Sequence, residues 1–278
     1  MFEQGAKLYK IPPGCSDSAC AIEVSPDEAK QLQASDGEGM VHVNNNGIFN
    51  DLDSAIKNAQ QNSGTQAGAT ASSTGPSTDG TSPVDYSNKP TTQYIVFAPP
   101  ASNPIAELAV AAYQNSGSPG GLTNAEQANV NIIIQTNSQG QDLDLSGHSR
   151  GSLTVDNAMN AAVNNGIFAP NVTVNYFGPA ANVGSSTTTL QKLTDNSSAT
   201  INSVSNPQDG VSAFVGGNPP TLPNNTGIPI TVNNNDGSGP LANLFNVMFG
   251  TNTPHNCYGS SGSVGGCSTY WNFAPTSL

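Results

Sequence analysis

From residue 93 onward, the hydrophobic positions of the chain form short apolar runs separated by longer segments of mixed character. The short runs have the length of β-strands, and two longer segments space their apolar residues as an amphipathic helix does. The predicted strands span residues 93–98, 131–135, 142–145, 172–177, 199–204 and 228–232. The predicted helices span residues 104–114 and a segment after the strand at 142–145 that ends at Asn165-Gly166. Strands alternating with helices are typical of an open, mostly parallel sheet with flanking helices, so the predicted fold class is α/β.

The first 61 residues have a different pattern. Short candidate strands at residues 7–11, 21–24 and 40–43 precede one helical segment at 51–61, which predicts a small N-terminal α+β unit. Residues 62–90 consist mainly of Ser, Thr, Gly, Ala and Pro, with almost no large apolar side chain. Such a segment buries too little surface to offset its ordering entropy, so we predict a flexible linker or loop. The chain is therefore predicted to divide into a unit at 1–61, a linker at 62–90 and a main domain at 91–278.

The sequence Gly147-His148-Ser149-Arg150-Gly151 lies between a predicted strand and a predicted helix. A serine on such a sharp strand-to-helix turn has its hydroxyl pushed clear of the sheet, and the flanking glycines remove β-carbons that would clash there. We therefore predict Ser149 as a catalytic nucleophile. The amide of Arg150, at the helix N-terminus, is a predicted oxyanion donor. The pentapeptide alone is weakly specific in a chain with 29 glycines, and its position between strand and helix carries the prediction.

A second serine offers an alternative nucleophile. Thr136-Asn137-Ser138-Gln139-Gly140 follows the predicted strand at 131–135 and has Thr136 in place of the first glycine. A β-branched residue would strain that bend, and no apolar helical segment follows. Ser149 is therefore preferred over Ser138.

A serine hydroxyl becomes a useful nucleophile when a base takes its proton and a third group orients that base. The chain has three histidines. His148 lies inside the turn and points away from the neighbouring hydroxyl, and His42 lies on a strand of the N-terminal unit. His255 follows the last predicted strands, where the chain order Ser, acid, His places the base. His255 is therefore the predicted base.

The acid is expected between the nucleophile and the base, after a strand. Asp209 directly follows the predicted strand at 199–204 and is the first choice. Asp236 lies in an Asn-Asn-Asn-Asp-Gly turn, whose residue types turn chemistry already explains. Asp236 is therefore the alternative acid.

Composition narrows the possible partners and the compartment. Only 9% of residues are charged, the formal net charge is −12 and there are seven basic residues, which disfavours nucleic acid as a ligand. The four cysteines form two local pairs, Cys15 with Cys20 and Cys257 with Cys267, in polar loops. This spacing favours two disulfides and an oxidising compartment over four reduced thiols, and it does not fit a zinc site. We expect no metal and no cofactor.

Several phrases resemble those of class 3 (fungal-type) lipases. The turn at residues 147–151 resembles their Gly-His-Ser-Leu-Gly turn, which is called the nucleophile elbow. Their Phe-Gly-x-Pro-Arg phrase is similar to residues 176–180, Tyr-Phe-Gly-Pro-Ala. Residues 206–209 resemble their Asn-Asp-x-Val-Pro acid loop, residues 255–258 their histidine loop, and Trp271 a later tryptophan. These matches lie in the family's order over about half of the chain.

The resemblance implies an α/β-hydrolase fold and a serine esterase or lipase with Ser149, Asp209 and His255 as its triad. It also implies a second oxyanion donor after the strand at 93–98. There this chain has Ala98-Pro99-Pro100 in place of the family's Arg-Gly-Thr/Ser. Because proline has no amide hydrogen, the donor expected from this loop is Ala101 or Ser102.

Residues 43–51 resemble C-terminal regions of filamentous-haemagglutinin-type, two-partner-secreted bacterial proteins, which often end in toxin domains. This implies a secreted lipase- or phospholipase-type effector released from a large exoprotein. Its expected partners are a lipid or other ester substrate, an immunity protein and, transiently, a membrane. The alternative function is a non-catalytic adhesin or delivery module with a degenerate hydrolase fold. A nuclease toxin is disfavoured by the acidic charge.

Overall fold

The computed structural model describes residues 5–34, 39–48, 50–62, 74–76, 83–85, 92–100, 104–206, 209–221 and 255. The strands are β1 (Lys7–Ile11), β2 (Ile22–Glu23), β3 (Met40–Asn45), β4 (Thr74–Pro76), β5 (Pro83–Asp85), β6 (Gln93–Phe97), β7 (Asp142–His148), β8 (Val172–Phe177) and β9 (Asn202–Val204). The α-helices are α1 (Leu52–Asn62), α2 (Pro104–Asn115), α3 (Asn124–Ser138), α4 (Arg150–Asn164) and α5 (Val183–Thr194). A 3₁₀-helix at Glu28–Gln31 and a π-helix at Val211–Val215 complete the regular structure of these ranges.

Seven strands form one sheet in the order β2-β1-β6-β3-β7-β8-β9. Neighbours from β6 to β9 pair in parallel, whereas β1 pairs antiparallel with both β6 and β2. The mixed α/β class with a mostly parallel sheet and flanking helices, predicted from the sequence, is confirmed.

The strands of residues 1–61 belong to this same sheet. β1 pairs with β6 over five residues, and β3 lies between β6 and β7. In place of the separate small unit expected from the sequence, β3 is a central strand of the sheet. Within the predicted linker, β4 and β5 pair antiparallel. Asn62 is the last residue of α1, and the other residues of that predicted linker lie outside the described ranges.

The two faces of the sheet are covered by different helices. Along β6, Tyr94 and Val96 join the larger hydrophobic core, while the alternating residues Ile95 and Phe97 join a smaller one. The larger core includes residues of α3, α4 and α5, and the smaller one includes Ile56 of α1. Alternation with period two is what places successive side chains on opposite faces of a strand.

The strand predicted at residues 131–135 is wrong, because these residues form the middle of α3. Thr123 and Glu126 form a capping box that begins the helix. The buried face of α3 includes Ala125, Asn129, Ile133 and Thr136, which have the spacing of a helix. Two of these four residues are polar, so the hydrophobic pattern alone showed only a short β-branched run.

This helix also decides against the alternative nucleophile. Ser138 is the last residue of α3, its side chain is exposed, and its hydroxyl donates to the carbonyl of Gln135 at 2.8 Å. The segment around Ser138 is thus a helix end and not a strand-to-helix turn. The strand predicted at residues 228–232 lies outside the described residues.

The order of the parallel strands places a crevice between β3 and β7. The chain runs from β3 to β6 on one side of β3, then returns to β7 on the other side. In open α/β sheets, ligands bind at the carboxyl ends of the strands where the order reverses in this way. The carboxyl end of β7 at this point is followed directly by Ser149.

Candidate active site

Ser149 occupies a backbone conformation that few non-glycine residues adopt, with φ 55° and ψ −123°. It is the single residue between β7 and α4. Its amide donates to the carbonyl of Phe177 at 3.1 Å, and its carbonyl accepts from the amides of Ser152 at 3.0 Å and Ala180 at 3.3 Å. A residue remains in such a conformation only where its surroundings determine it strongly, and such residues concentrate at functional sites.

The two glycines of the motif are required by close packing. A β-carbon on Gly147 would lie 2.7 Å from the backbone nitrogen of Ser152. A β-carbon on Gly151 would collide with the carbonyl oxygen of Asn45 at the end of β3. The strand, the turn, the helix and the neighbouring strand therefore fit together only with glycine at both positions.

The structure brings the predicted base and acid together. Nδ1 of His255 lies 2.9 Å from both carboxylate oxygens of Asp209, and both side chains are buried. Asp209 Oδ1 also accepts from the amides of Val211 at 2.8 Å and Ser212 at 3.2 Å, at the start of the π-helix. These bonds fix the orientation of the carboxylate. Asp236, the alternative acid, lies outside the described residues.

His148 connects the base to the turn. Its ring stacks on that of His255 with centroids 5.1 Å apart, and its Nε2 lies 2.9 Å from the main-chain carbonyl of His255. Burial lowers the pKa of His148 to about 4, and the proximity of His255 contributes in the same direction. His148 is therefore neutral near pH 7.

The side chain of Arg150 is buried behind the turn. Its Nη1 lies 2.7 Å from Oε1 of Glu107 on α2, and the side chains are 2% and 0% exposed. Its Nη2 lies 3.5 Å from the carbonyl of Ala98 at the end of β6. Glu107 was not identified from the sequence, because one acidic residue in the first turn of a helix is usually explained by the helix dipole. The guanidinium is thus bound by Glu107 and Ala98.

The topology changes where the second oxyanion donor is expected. Since β3 separates β6 from β7, the strand that ends next to Ser149 is β3, and the loop after β3 begins there. A β-carbon on Gly47, in the loop after β3, would lie 3.0 Å from Cβ of Ser149, and Ile48 lines the same cavity as Ser149. Ala101, the donor expected from the sequence, lies outside the described residues.

Asn46 fixes the loop after β3 to the end of β6. Its Nδ2 donates to the carbonyl of Ala98 at 2.9 Å, and its Oδ1 accepts from the amide of Ala98 at 2.8 Å. The amide of Gly47 donates to Oδ1 of Asn50 at 3.1 Å. The backbone beside Ser149 is thus ordered by asparagine side chains.

A cavity of about 230 Å³ opens beside Ser149. Most of its lining is apolar, and the residues come from the loops after β3 and β8, from α2, from the turn at Ser149 and α4, and from the π-helix. The residues that line it are Ile48, Ala111, Ala112, Asn115, Ser149, Arg150, Leu153, Ala180, Val211 and Val215. The nucleophile is thus a polar group on the wall of an apolar cavity.

A second His–Asp pair lies within the sheet. Nδ1 of His42 on β3 is 3.0 Å from Oδ2 of Asp144, its register partner on β7. Asp144 also accepts from Asn175 of β8, which in turn accepts from Asn202 of β9 at 2.8 Å. The alternation of polar and apolar residues in β3 and β7 is the signal that could have placed His42 and Asp144 on one face.

Among the residues that the structure describes, no group of three or more His, Cys, Asp or Glu side chains is arranged to bind a metal ion. In the same part of the chain, no helix combines the length and the apolar character needed to cross a membrane. Cys15 and Cys20 form a disulfide, as the sequence predicted, and this is compatible with an oxidising compartment. Cys257 and Cys267 lie outside the described ranges.

Comparison with known proteins identifies no relative. The chain matches no family model, no curated protein and no solved structure. The functional assignment therefore rests on the residues and the geometry of this chain.

Proposed function

We propose that this protein is a serine hydrolase of the α/β-hydrolase type that cleaves carboxylic esters with an apolar acyl group. The strained turn at Ser149 carries the proposal, since a serine at φ 55° between a strand and a helix is the defining geometry of a nucleophile elbow. The buried His255–Asp209 pair supports it, because it supplies the base and the orienting acid in the chain order of such enzymes.

The proposed reaction follows from these groups. Ser149 Oγ attacks the ester carbonyl carbon while Nε2 of His255 accepts its proton, and Asp209 keeps the proton of His255 on Nδ1. His255 then protonates the leaving alcohol, which leaves an acyl group on Ser149. Water, deprotonated by His255, attacks the acyl carbon, and the bond from that carbon to Ser149 Oγ breaks as His255 returns the proton to Oγ, which releases the carboxylic acid and restores the serine.

Two backbone donors are available for the oxyanion of this reaction. The amide of Arg150 lies at the N-terminus of α4, where helix amides face an anion. The second donor belongs to the loop after β3, around Gly47 and Ile48, which lies against Ser149. From the sequence, the second donor was expected in the loop after β6, and we propose the loop after β3 instead.

The cavity supports an apolar acyl group over a charged or sugar-like one. Seven of its ten lining residues are Ala, Ile, Leu or Val, and the single charged residue, Arg150, is neutralised by Glu107. An apolar chain gains free energy when such a cavity removes its surface from water. A lipase- or phospholipase-type substrate is therefore favoured over a small polar ester.

The cellular setting remains part of the proposal. A secreted bacterial effector or toxin, with an immunity protein as partner and transient membrane contact, is supported by the Asn-, Ser- and Gly-rich acidic composition and the sequence resemblance. The disulfide between Cys15 and Cys20 is compatible with export.

Labelling with a fluorophosphonate tests the hydrolase assignment directly. We expect one covalent adduct on the intact protein, located on Ser149 by peptide mass spectrometry and lost in Ser149→Ala. Ser146→Ala is the matched control, because Ser146 lies on the same strand with ordinary strand geometry. Failure of folded wild-type protein to label would overturn the proposal in favour of a non-catalytic adhesin or delivery module.

A further inference from the structure

We infer that His148 is a positioning residue that fixes the main chain of His255 relative to Ser149. The inference rests on the proposed function, since it assigns a task to a residue of the same site. The position of His148 inside the turn, with its side chain directed away from the Ser149 hydroxyl, makes it a poor general base. Its contacts point to a different task.

The hydrogen bond between the two histidines has one possible direction. The carbonyl oxygen of His255 only accepts, so Nε2 of His148, 2.9 Å away, must carry the hydrogen and donate it. His148 is then in the Nε2–H tautomer. The two imidazole rings are also stacked, with centroids 5.1 Å apart and planes inclined by 27°, so the ring of His148 packs against the face of the His255 ring.

These contacts complete the fixation of the base. Asp209 binds Nδ1 of the imidazole and so sets its tautomer and rotation. His148 binds the main chain of the same residue and so sets where the imidazole is attached. Because His148 directly precedes Ser149, this bond links the base to the nucleophile through a single peptide unit. The bonds to Asp209 and to His148 thus both restrain the position of the base relative to the nucleophile.

The surroundings of His148 favour one neutral, oriented ring. The side chain is buried, and the titratable groups that influence it are His255 and Asp209. On its Nδ1 side, a β-carbon on Gly47 would come within 2.9 Å of the ring nitrogen. The imidazole is therefore enclosed between the loop after β3 and His255. A neutral donor of fixed tautomer is suited to binding a carbonyl at all pH values near neutrality.

Two substitutions separate the hydrogen bond from the ring contact. His148→Gln retains an amide donor near the position of Nε2, whereas His148→Phe retains the stacked ring without the donor. For His148→Phe we expect kcat to fall roughly tenfold with little change in KM, since a neutral hydrogen bond is lost and substrate contacts are not. His148→Gln should recover most of that loss. Thermal melting should show both variants folded.

Equal kcat for His148→Phe and wild type, or no recovery in His148→Gln, would overturn the inference. An equal loss in both variants would likewise contradict it, because it would indicate general disruption of the turn.

Imidazole ¹⁵N spectra give a readout that does not depend on turnover. The chain has three histidines, so single substitutions assign all signals. We expect the Nε2–H tautomer for His148 at pH 7 and altered His255 shifts in His148→Phe but not in His148→Gln. The Nδ1–H tautomer, or unchanged His255 shifts in His148→Phe, would refute the positioning role. A wild type that fails to label with fluorophosphonate would refute only the hydrolase assignment.

Discussion

The part of the chain that the structure describes contains two buried His–Asp pairs, and one of them lies beside the strained serine. His42 and Asp144 face each other across β3 and β7, in strand register, with Ser146 further along the same strand. His255 and Asp209 come from outside the strands and meet near the carboxyl end of β7, beside the turn at Ser149. The same three residue types therefore occur in both places.

The difference between the two places lies in the backbone and the space around it. Ser146 has ordinary strand geometry, whereas Ser149 has φ 55° and lines a cavity. Asp144 also accepts a hydrogen bond from Asn175, so it joins a row of polar side chains across the sheet. A Ser–His–Asp set becomes a candidate site when the serine is exposed by a sharp turn at a crevice. Within a sheet, the same set serves as cross-strand pairing.

Replacing each aspartate tests this comparison most strongly. Asp209→Asn should lower kcat by about three to four orders of magnitude with folding preserved, because the wrong imidazole tautomer is then stabilised. Asp144→Asn should change kcat by no more than a few fold and lower the free energy of unfolding by about 1–3 kcal/mol. Ester hydrolysis and urea denaturation of both variants provide the measurement. A large rate loss in Asp144→Asn alone would reverse the two roles.

The ion pair that supports the elbow region gives the next largest effect. Arg150→Met should lower the free energy of unfolding by about 3–5 kcal/mol, because it leaves the buried Glu107 carboxylate without its cation. The double variant Arg150→Met/Glu107→Leu is the control and should regain most of the loss. Denaturant titration measures both. A single variant as stable as the wild type would show that the pair is not buried in solution.

The buried side chain of His148 makes the stability of the protein depend on pH. Its pKa is about 4 in the folded protein and near 6.5 when unfolded, so the unfolded chain binds the additional proton as the pH falls. Stability is therefore lost between pH 6.5 and pH 4, by about 3 kcal/mol from this group. Comparing wild type with His148→Gln at pH 7 and pH 4 isolates the contribution. An equal pH dependence in both proteins would exclude it.

Glycine substitutions give the smallest but most local test. At Ser149, glycine should be more stable than alanine by about 1–2 kcal/mol, because it relieves the positive φ. At Ser146, glycine should be less stable than alanine by about 0.5–1 kcal/mol, as in any strand interior. Thermal denaturation of the four variants provides the values. The same sign at both positions would mean that the turn is not strained.

Local patterns predicted the elements that frame the elbow. The strand at Val172–Phe177 was found because its buried positions are apolar. The helix that ends before Asn165-Gly166 was found because Leu153, Val155 and Met159 contribute apolar side chains to its buried face. α5 was missed because Ser186, Thr189 and Thr194 occupy much of its buried face. Where helices of this protein are buried, small polar residues often occupy positions that aliphatic residues usually fill. The helical spacing of hydrophobic residues is therefore weak in the sequence, and such helices are hard to predict from it.

The sequence could predict features of the candidate site that depend on chain order, but not those that depend on sheet order. Ser149, Asp209 and His255 follow each other along the sequence as such groups do in hydrolases, and two of the three are seen in contact. The second oxyanion donor was expected in the loop after β6 because the resemblance to class 3 lipases implied it there. No local pattern reveals that β3 is inserted between β6 and β7.

The hydrogen bonds of the Asn46 side chain also bear on its chemical stability toward deamidation. Asn46 is followed by Gly47. Asn-Gly sequences deamidate readily, because glycine has no side chain to hinder the attack of its backbone nitrogen on the asparagine side-chain carbonyl carbon. In the folded protein both polar atoms of this side chain bind Ala98, which restrains that attack. Deamidation would replace the Nδ2 donor by an oxygen facing the carbonyl of Ala98. We expect the rate of deamidation at Asn46 to rise with the fraction of unfolded protein, since unfolding breaks the two hydrogen bonds that restrain its side chain.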